Sequence, residues 1–389
     1  MTRPIRSFPT LCAAAMLATT AGACSDLPDP AGPSAEGHGP AFTRHSDEGA
    51  FGVYSQNVYL GGDTGPIFTL DFGNLPELLA ATNTFWAQVL ASDAAGRAAA
   101  VVDQIAARRP HVVGLQEVFQ FRVVDFSTGS PEVVEALDLL ALVQSELDAR
   151  GLPYEVVAVQ ENTTTGPASG LPLAVDPGAG AVVRILQFTD RIAVLRRTDV
   201  AIEATAQGNF AASFQVGPLT LVRGWIRVST EHRGVPQHFI TTHLETQTLA
   251  FVQAEQAEEL VQSIAAGLDG VTILAGDLNS DAANPGAPSW TPTYDALIAA
   301  GFTDAWAQSG QAAHDAGFTC CQAADLRNGP SLLDQRIDFV LVRATPNPAR
   351  SGFVPGAIDV DITADRAEEG LWLSDHAGLA ATLRLPPLE

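Results

Sequence analysis

Short apolar runs recur along the chain, separated by longer stretches in which apolar residues return every three or four positions. The first pattern is that of strands buried in a sheet and the second that of helices packed on one. Read this way, strands are expected at 51–58, 112–115, 154–159, 181–186, 192–195, 221–229, 238–242, 271–275, 337–342 and 377–385. Helices are expected at 75–90, 97–109, 131–150, 249–266 and 294–300, the third opened by Pro131. Alternation of the two kinds predicts an α/β fold. Gly- and Pro-rich stretches at 61–74, 162–180 and 282–292 are expected as loops over a binding face.

The first fifty residues do not share the pattern. Arg3 and Arg6 precede an apolar run at 11–18, and small residues lead to Ala21-Gly22-Ala23-Cys24. Such a segment predicts an export signal over 1–23. Cys24 directly after the small residues resembles the lipid-attachment site of bacterial lipoproteins, although Ala21 stands where that family prefers leucine. A plain cleaved signal is the alternative. Residues 24–50 are rich in Pro, Gly, Ala and Ser and are expected to be a tether, leaving 51–389 as the folded domain. The expected address is the outer face of the cell envelope, or the medium.

Composition narrows the function. The chain has 389 residues, 46% of them hydrophobic, and a formal net charge of −23; all 21 basic residues are arginine. That charge argues against a protein that holds nucleic acid on a broad basic face. It does not argue against handling phosphate through a bound cation, which reverses the local field.

The informative feature is where polar residues fall. Asn57, Gln116-Glu117, His243, Asp277 with Asn279, and Ser374-Asp375-His376 all lie at or next to strand ends, and Asp338 lies within a strand. Loops converge there while the sheet holds side chains rigid. Any one of these alone reads as a capped turn. Together they are a candidate site.

The set resembles the endonuclease/exonuclease/phosphatase superfamily, which includes DNase I-like nucleases, apurinic endonucleases, inositol polyphosphate 5-phosphatases and bacterial sphingomyelinases. The resemblance rests on Ser-Gln-Asn57-Val, Val-Gly-Leu-Gln-Glu117, Thr-Asp190-Arg191-Ile-Ala-Val-Leu, Thr-Thr-His243-Leu-Glu, Gly-Asp277-Leu-Asn279, Arg-Ile-Asp338-Phe and Ser-Asp375-His376. It implies one domain, a four-layer sandwich of two packed mixed sheets flanked by helices. It also implies Glu117 as the main metal ligand with Asn57 beside it and Asp375 on the far side or acting through water. His376 would be the general base, oriented by Asp338. Asp277 would fix the attacking water or the metal's hydration, Asn279 would donate to a phosphate oxygen, and His243 would be a general acid paired with Asp190. Arg191 would be a phosphate ligand or a structural neighbour of Asp190, the neighbour favoured. Tyr59 stands where some nuclease branches carry an acid, so no second metal is expected there. The separation of Asn57 from Glu117 is longer than is usual, which puts the helical segment at 75–90 near the site.

Phosphate-ester hydrolysis needs a cation, a base to activate water and help for the leaving oxygen. One Glu, an Asn amide and a distal Asp suit Mg²⁺, with Mn²⁺ or Ca²⁺ as alternatives. The expected function is a metal-dependent phosphoesterase, with a lipid or small-molecule phosphodiester favoured. The alternatives are a secreted DNase I-like nuclease, with nucleic acid as substrate only, and a non-catalytic surface binding protein. A monomer is expected. Cys320 and Cys321 are adjacent, and either a vicinal disulfide stiffening their loop or two free thiols is open, the bridge favoured. Zinc binding is not expected of a pair with no further ligand nearby in sequence.

Overall fold

The computed structural model describes residues 50–345, 356–367 and 370–384. The expected leader and tether lie outside these residues, apart from Ala50. Two large sheets carry the fold. In the first, strands run in the order Gly356–Thr363, Gly378–Arg384, Ala50–Asn57, Val112–Gln116, Val182–Arg197, Gln120–Asp125 and Glu132–Asp138. Tyr154–Thr164 and Leu171–Val175 also pair with Val182–Arg197. The second sheet runs Thr303–Asp304, Asp338–Ala344, Val271–Asp277, Val235–His243, Gly224–His232 and Ala204–Asn209.

The alternation within each strand builds the layers. Phe51, Val53, Val112 and Val194 turn inward from the first sheet to meet Ile226, Phe239, Ile273 and Val340 from the second. Their neighbours Tyr54, Val113 and Leu115 face outward onto helices Leu75–Ala91, Ala94–Arg108 and Leu139–Ala149. Ile240, Leu274 and Phe339 face outward onto helices Ala250–Glu259 and Thr293–Ala299. The result is the expected four-layer arrangement, helix on sheet on sheet on helix. The two sheets come very close at Gly114, where a Cβ would stand 2.5 Å from Thr241 Oγ1. Nothing larger than glycine fits there without moving the sheets apart.

The structure departs from several expected elements. The stretch opened by Pro131 is a strand, Glu132–Asp138, before the helix Leu139–Ala149 begins. Val133 and Val134 are about half exposed on this edge strand, so no buried stripe forms that a helix would need. The helix starts at Asp138, whose carboxylate accepts from Ala141 N. The strands expected at 181–186 and 192–195 are one, Val182–Arg197, which continues through polar Gln187, Thr189 and Asp190 because partners flank it on both sides. The segment 249–266 is helical over Ala250–Glu259 and passes into a wider, π-helical turn, Leu260–Ile264. Among the described residues, no helix is long and apolar enough to cross a membrane.

Candidate active site

Register, more than any one motif, assembles the site. In the second sheet His243 stands opposite Asp277, and Asp277 opposite Asp338, so adjacent strands present three candidate side chains in one row. In the first sheet Asn57 stands opposite Gln116, immediately before Glu117. Gln116 ties the sheets together beneath the row by donating from Nε2 to Thr241 Oγ1 at 2.9 Å.

Asp277 is the hub. Its Oδ1 accepts from Asn279 N at 2.9 Å, which fixes the carboxylate plane. Its Oδ2 lies 3.1 Å from Asn57 Nδ2, 3.4 Å from His243 Nε2 and 3.8 Å from His376 Nε2. Asn57 Nδ2 also donates to Glu117 Oε1 at 3.1 Å, while Leu60 N donates to Glu117 Oε2 at 2.8 Å. Asn57 therefore turns its amide group to the two carboxylates and its Oδ1 to Tyr59 N. His376 Nδ1 donates to Asp338 Oδ2 at 2.8 Å, leaving Nε2 facing Asp277 and, at 4.0 Å, Asp375 Oδ1.

The backbone is bent to achieve this. Of seven described non-glycine residues with positive φ, three are Tyr59, Glu117 and Asn279. Such conformations cost on the order of 1–3 kcal/mol each and persist where the surroundings enforce them. At Gly276 (φ 152°) a Cβ would stand 2.0 Å from Thr242 O, so the residue before Asp277 has to be glycine.

Burial and like charge dominate the electrostatics. Burial pushes Asp277 up to about 7, reinforced by Asp338 and opposed by His376. Burial likewise pushes Asp375 up to about 7, and it raises Glu117. Burial works against charging His376, but Asp338, Asp375 and Asp277 together hold it well above the ordinary imidazole range. His243 goes the other way: burial, the Arg223 cation and His376 hold it well below.

Arg223 is the residue that sequence reasoning missed. Its guanidinium lies 3.1 Å from His243 Nδ1, 3.7 Å from Asp190 Oδ2 and 3.3 Å from Glu245 Oε1. Arginine can only donate, so His243 Nδ1 accepts and the ring proton sits on Nε2, toward Asp277. The expected direct pairing of His243 with Asp190 is therefore replaced by a bridge through Arg223. Asp190 Oδ2 also accepts from Asn162 Nδ2 at 3.1 Å. Arg223 starts the motif Arg-Gly-Trp at a strand entrance, which resembles any solvated strand end. Asn279 sets its amide 3.1 Å from His243 Nε2 and donates to Leu244 O. Arg191 binds Val118 O and Asp138, bracing the corner that carries Glu117.

These groups open onto a cleft of about 630 Å³, lined among others by Glu117, Asp190, Arg223, His243, Asp277, Asn279 and His376. Its outer wall is apolar, with Ile67, Phe68, Phe85, Phe188 and Phe214. Helix Leu75–Ala91 reaches the cleft through Phe85.

A model described as the endonuclease/exonuclease/phosphatase family matches residues 55–376. No curated protein matches the chain. Among solved structures, an endonuclease/exonuclease/phosphatase from Beutenbergia cavernae DSM 12333 is 21% identical, with a TM-score of 0.52 over 87% of this chain and 72% of that one. An endonuclease/exonuclease/phosphatase from Bacteroides vulgatus is 14% identical, with a TM-score of 0.48 over 87% and 99%. TDP2 of D. rerio, complexed with single strand DNA product, is 17% identical, with a TM-score of 0.48 over 86% and 98%. Likeness at these identities speaks to the fold; the family match reaches from the end of the first strand to His376. The chain belongs to the endonuclease/exonuclease/phosphatase family.

Proposed function

We propose that the protein is a metal-dependent phosphodiesterase that hydrolyses a small-molecule or lipid phosphodiester. The observation that carries this reading is the convergence of Glu117, Asp277, His243 and His376 on one cleft, with Asn57 and Asp338 bonded to them from behind. Family membership gives the broader class, hydrolysis of phosphate esters.

The residues present fit a divalent cation. Glu117, Asp277 and Asp375 are carboxylates of raised proton affinity, each acting electrostatically on His376, and Glu117 also on Asp375, an excess of buried negative charge that a cation relieves. Their donors are all oxygen, as hard cations such as Mg²⁺ prefer. Glu117 and Asp375 would hold the ion, with Asn57 orienting Glu117. When bound, the ion would neutralise the non-bridging phosphate oxygens and lower the pKa of coordinated water.

The chain's own groups supply the rest. Asp338 holds the His376 ring by Nδ1; once a cation offsets the neighbouring carboxylates that hold the imidazole charged, Nε2 would be the atom that takes a proton from water. Asp277 Oδ2, between the two imidazoles, orients that water. His243 is held neutral with its proton on Nε2, so it donates a hydrogen bond to a phosphoryl oxygen instead of delivering a proton. Asn279 Nδ2 adds a second donor beside it. Fixed donors of this kind act where charge develops in the transition state.

The cleft wall supports the choice of substrate. Ile67, Phe68, Phe188 and Phe214 offer apolar surface next to the catalytic groups. Among the described cleft residues the one arginine is Arg223, already bound to Asp190 and Glu245. A nucleic-acid backbone would find little to track there. A lipid-linked export address through Cys24 suits such a substrate; mass spectrometry of protein from its native host should find a lipid-modified N-terminal Cys24. The substrate reading is tested by a panel of phosphatidyl and sphingosyl phosphodiesters, nucleotides and plasmid DNA. Turnover of the lipid or small esters at least about ten-fold above DNA supports it; the reverse order overturns it.

A further inference from the structure

Cys320 and Cys321 are joined as a vicinal disulfide, and the fold brings them a companion that their sequence neighbourhood lacks. Ligand atoms of both cysteines and of His376 lie within 4.8 Å of one another. The backbone clamps this arrangement. Cys320 and His376 form an isolated antiparallel bridge, Ala377 N donates to Thr319 O at 2.7 Å, and Gln322 N donates to Asp375 O at 2.9 Å. On its other side Cys320 O accepts from both Asp334 N and Gln335 N. The sulfurs are thus fixed beside the catalytic imidazole, and both cysteines line the cleft.

We propose that the reduced pair forms, with His376, a site for a soft divalent cation of the Zn²⁺ class, and that its occupation arrests hydrolysis. Disulfide sulfurs are not available as thiolates, so the site exists only after reduction. With a phosphine as reductant, one water supplies the oxygen of the phosphine oxide and the two sulfurs leave as thiols. The cation then displaces both thiol protons. Two thiolates and one imidazole, with water in the fourth position, suit Zn²⁺ or Cd²⁺, whereas the carboxylates around Glu117 suit a hard ion. Asp338 already holds Nδ1, which leaves Nε2 as ligand, and a carboxylate behind a ligating imidazole strengthens it. A ring nitrogen that holds metal takes no proton from water. The arrest rests on the role given to His376 above; the binding does not.

The test titrates Cd²⁺ into the full chain at saturating Mg²⁺, before and after phosphine reduction. Binding is followed by the ultraviolet thiolate-to-metal band and activity by bis(p-nitrophenyl) phosphate hydrolysis. The reduced protein should take up one Cd²⁺ with the band and lose hydrolysis in step, by about ten-fold or more; the oxidised protein should show neither. Cys320→Ser and Cys321→Ser should each remove the band, and the double variant should hydrolyse undisturbed by Cd²⁺. His376→Ala should weaken Cd²⁺ binding by about 10–100-fold. No band in the reduced wild-type chain overturns the site without touching the proposed function. Equal inhibition of oxidised protein or of the double variant overturns it too, since the cation would then act at the carboxylates. A band with full activity refutes the arrest and counts against His376 as the base.

Discussion

Each side chain of the candidate site owes its position to a small number of contacts. Glu117 is fixed by Asn57 and Leu60 N on a left-handed backbone, and His376 by Asp338. Glu117→Ala and His376→Ala should each lower turnover on the order of 10²–10⁴-fold while thermal unfolding stays cooperative. Wild-type turnover in either variant would remove that residue from the mechanism. His243 behaves differently because Arg223 occupies Nδ1. A neutral donor stabilises phosphoryl charge whatever the leaving group, so His243→Gln should lose activity by a similar factor on nitrophenyl and alkyl esters. A loss confined to poor leaving groups would show proton delivery after all. Asp277, Asn279, Asp338 and His376 were legible in sequence because short polar motifs interrupt strongly apolar strands. Arg223 was not, since its meaning comes from Asp190 and Glu245, which only the fold brings to it.

At the scale of elements, loops next to the site are held by residues distant from it. Arg97, buried on helix Ala94–Arg108, donates to Val58 O, Tyr59 O and Ser92 O. It therefore pins the turn whose Leu60 N holds Glu117. Arg97→Met should cost about 3 kcal/mol, seen in denaturant unfolding, and should weaken metal activation. Unchanged stability would mean that solvent replaces those bonds. His111, beside the first strand, is a second control point: its Nδ1 accepts from Gly52 N at 2.8 Å. Burial, with the Arg197 charge, lowers its pKa to about 4. The unfolded chain binds this proton near pH 6.5 and the native one only near 4, so its stabilisation is full above 6.5 and lost as pH falls toward 4. Up to about 3 kcal/mol is at stake, and His111→Gln should flatten that part of the pH–stability curve. Most helices and the central buried strands followed from periodicity, whereas their order in the sheets is set by the fold. The strand Glu132–Asp138 did not, because an exposed edge strand carries no buried face to mark its period.

For the whole molecule, two sheets are brought together around a concentration of acid that costs stability unless a cation compensates it. Asp277 and Asp375 have native pKa values of about 7, above those of the unfolded chain. Without metal, their contribution should therefore make stability fall as pH rises through the interval from about 4 to 7. Added Mg²⁺ should raise the unfolding temperature more at pH 8 than at pH 5.5; an equal rise at both would place the ion elsewhere. The proposed mechanism requires that Glu117 and Asp375 hold a cation, which His376 and Asp277 need in order to hydrolyse a phosphodiester. Its most direct measurement is the initial rate of bis(p-nitrophenyl) phosphate hydrolysis by the wild type and Glu117→Ala, each with Mg²⁺ and with chelator. Activity is expected in one of the four conditions, wild type with Mg²⁺. Equal wild-type rates with metal and with chelator would contradict it.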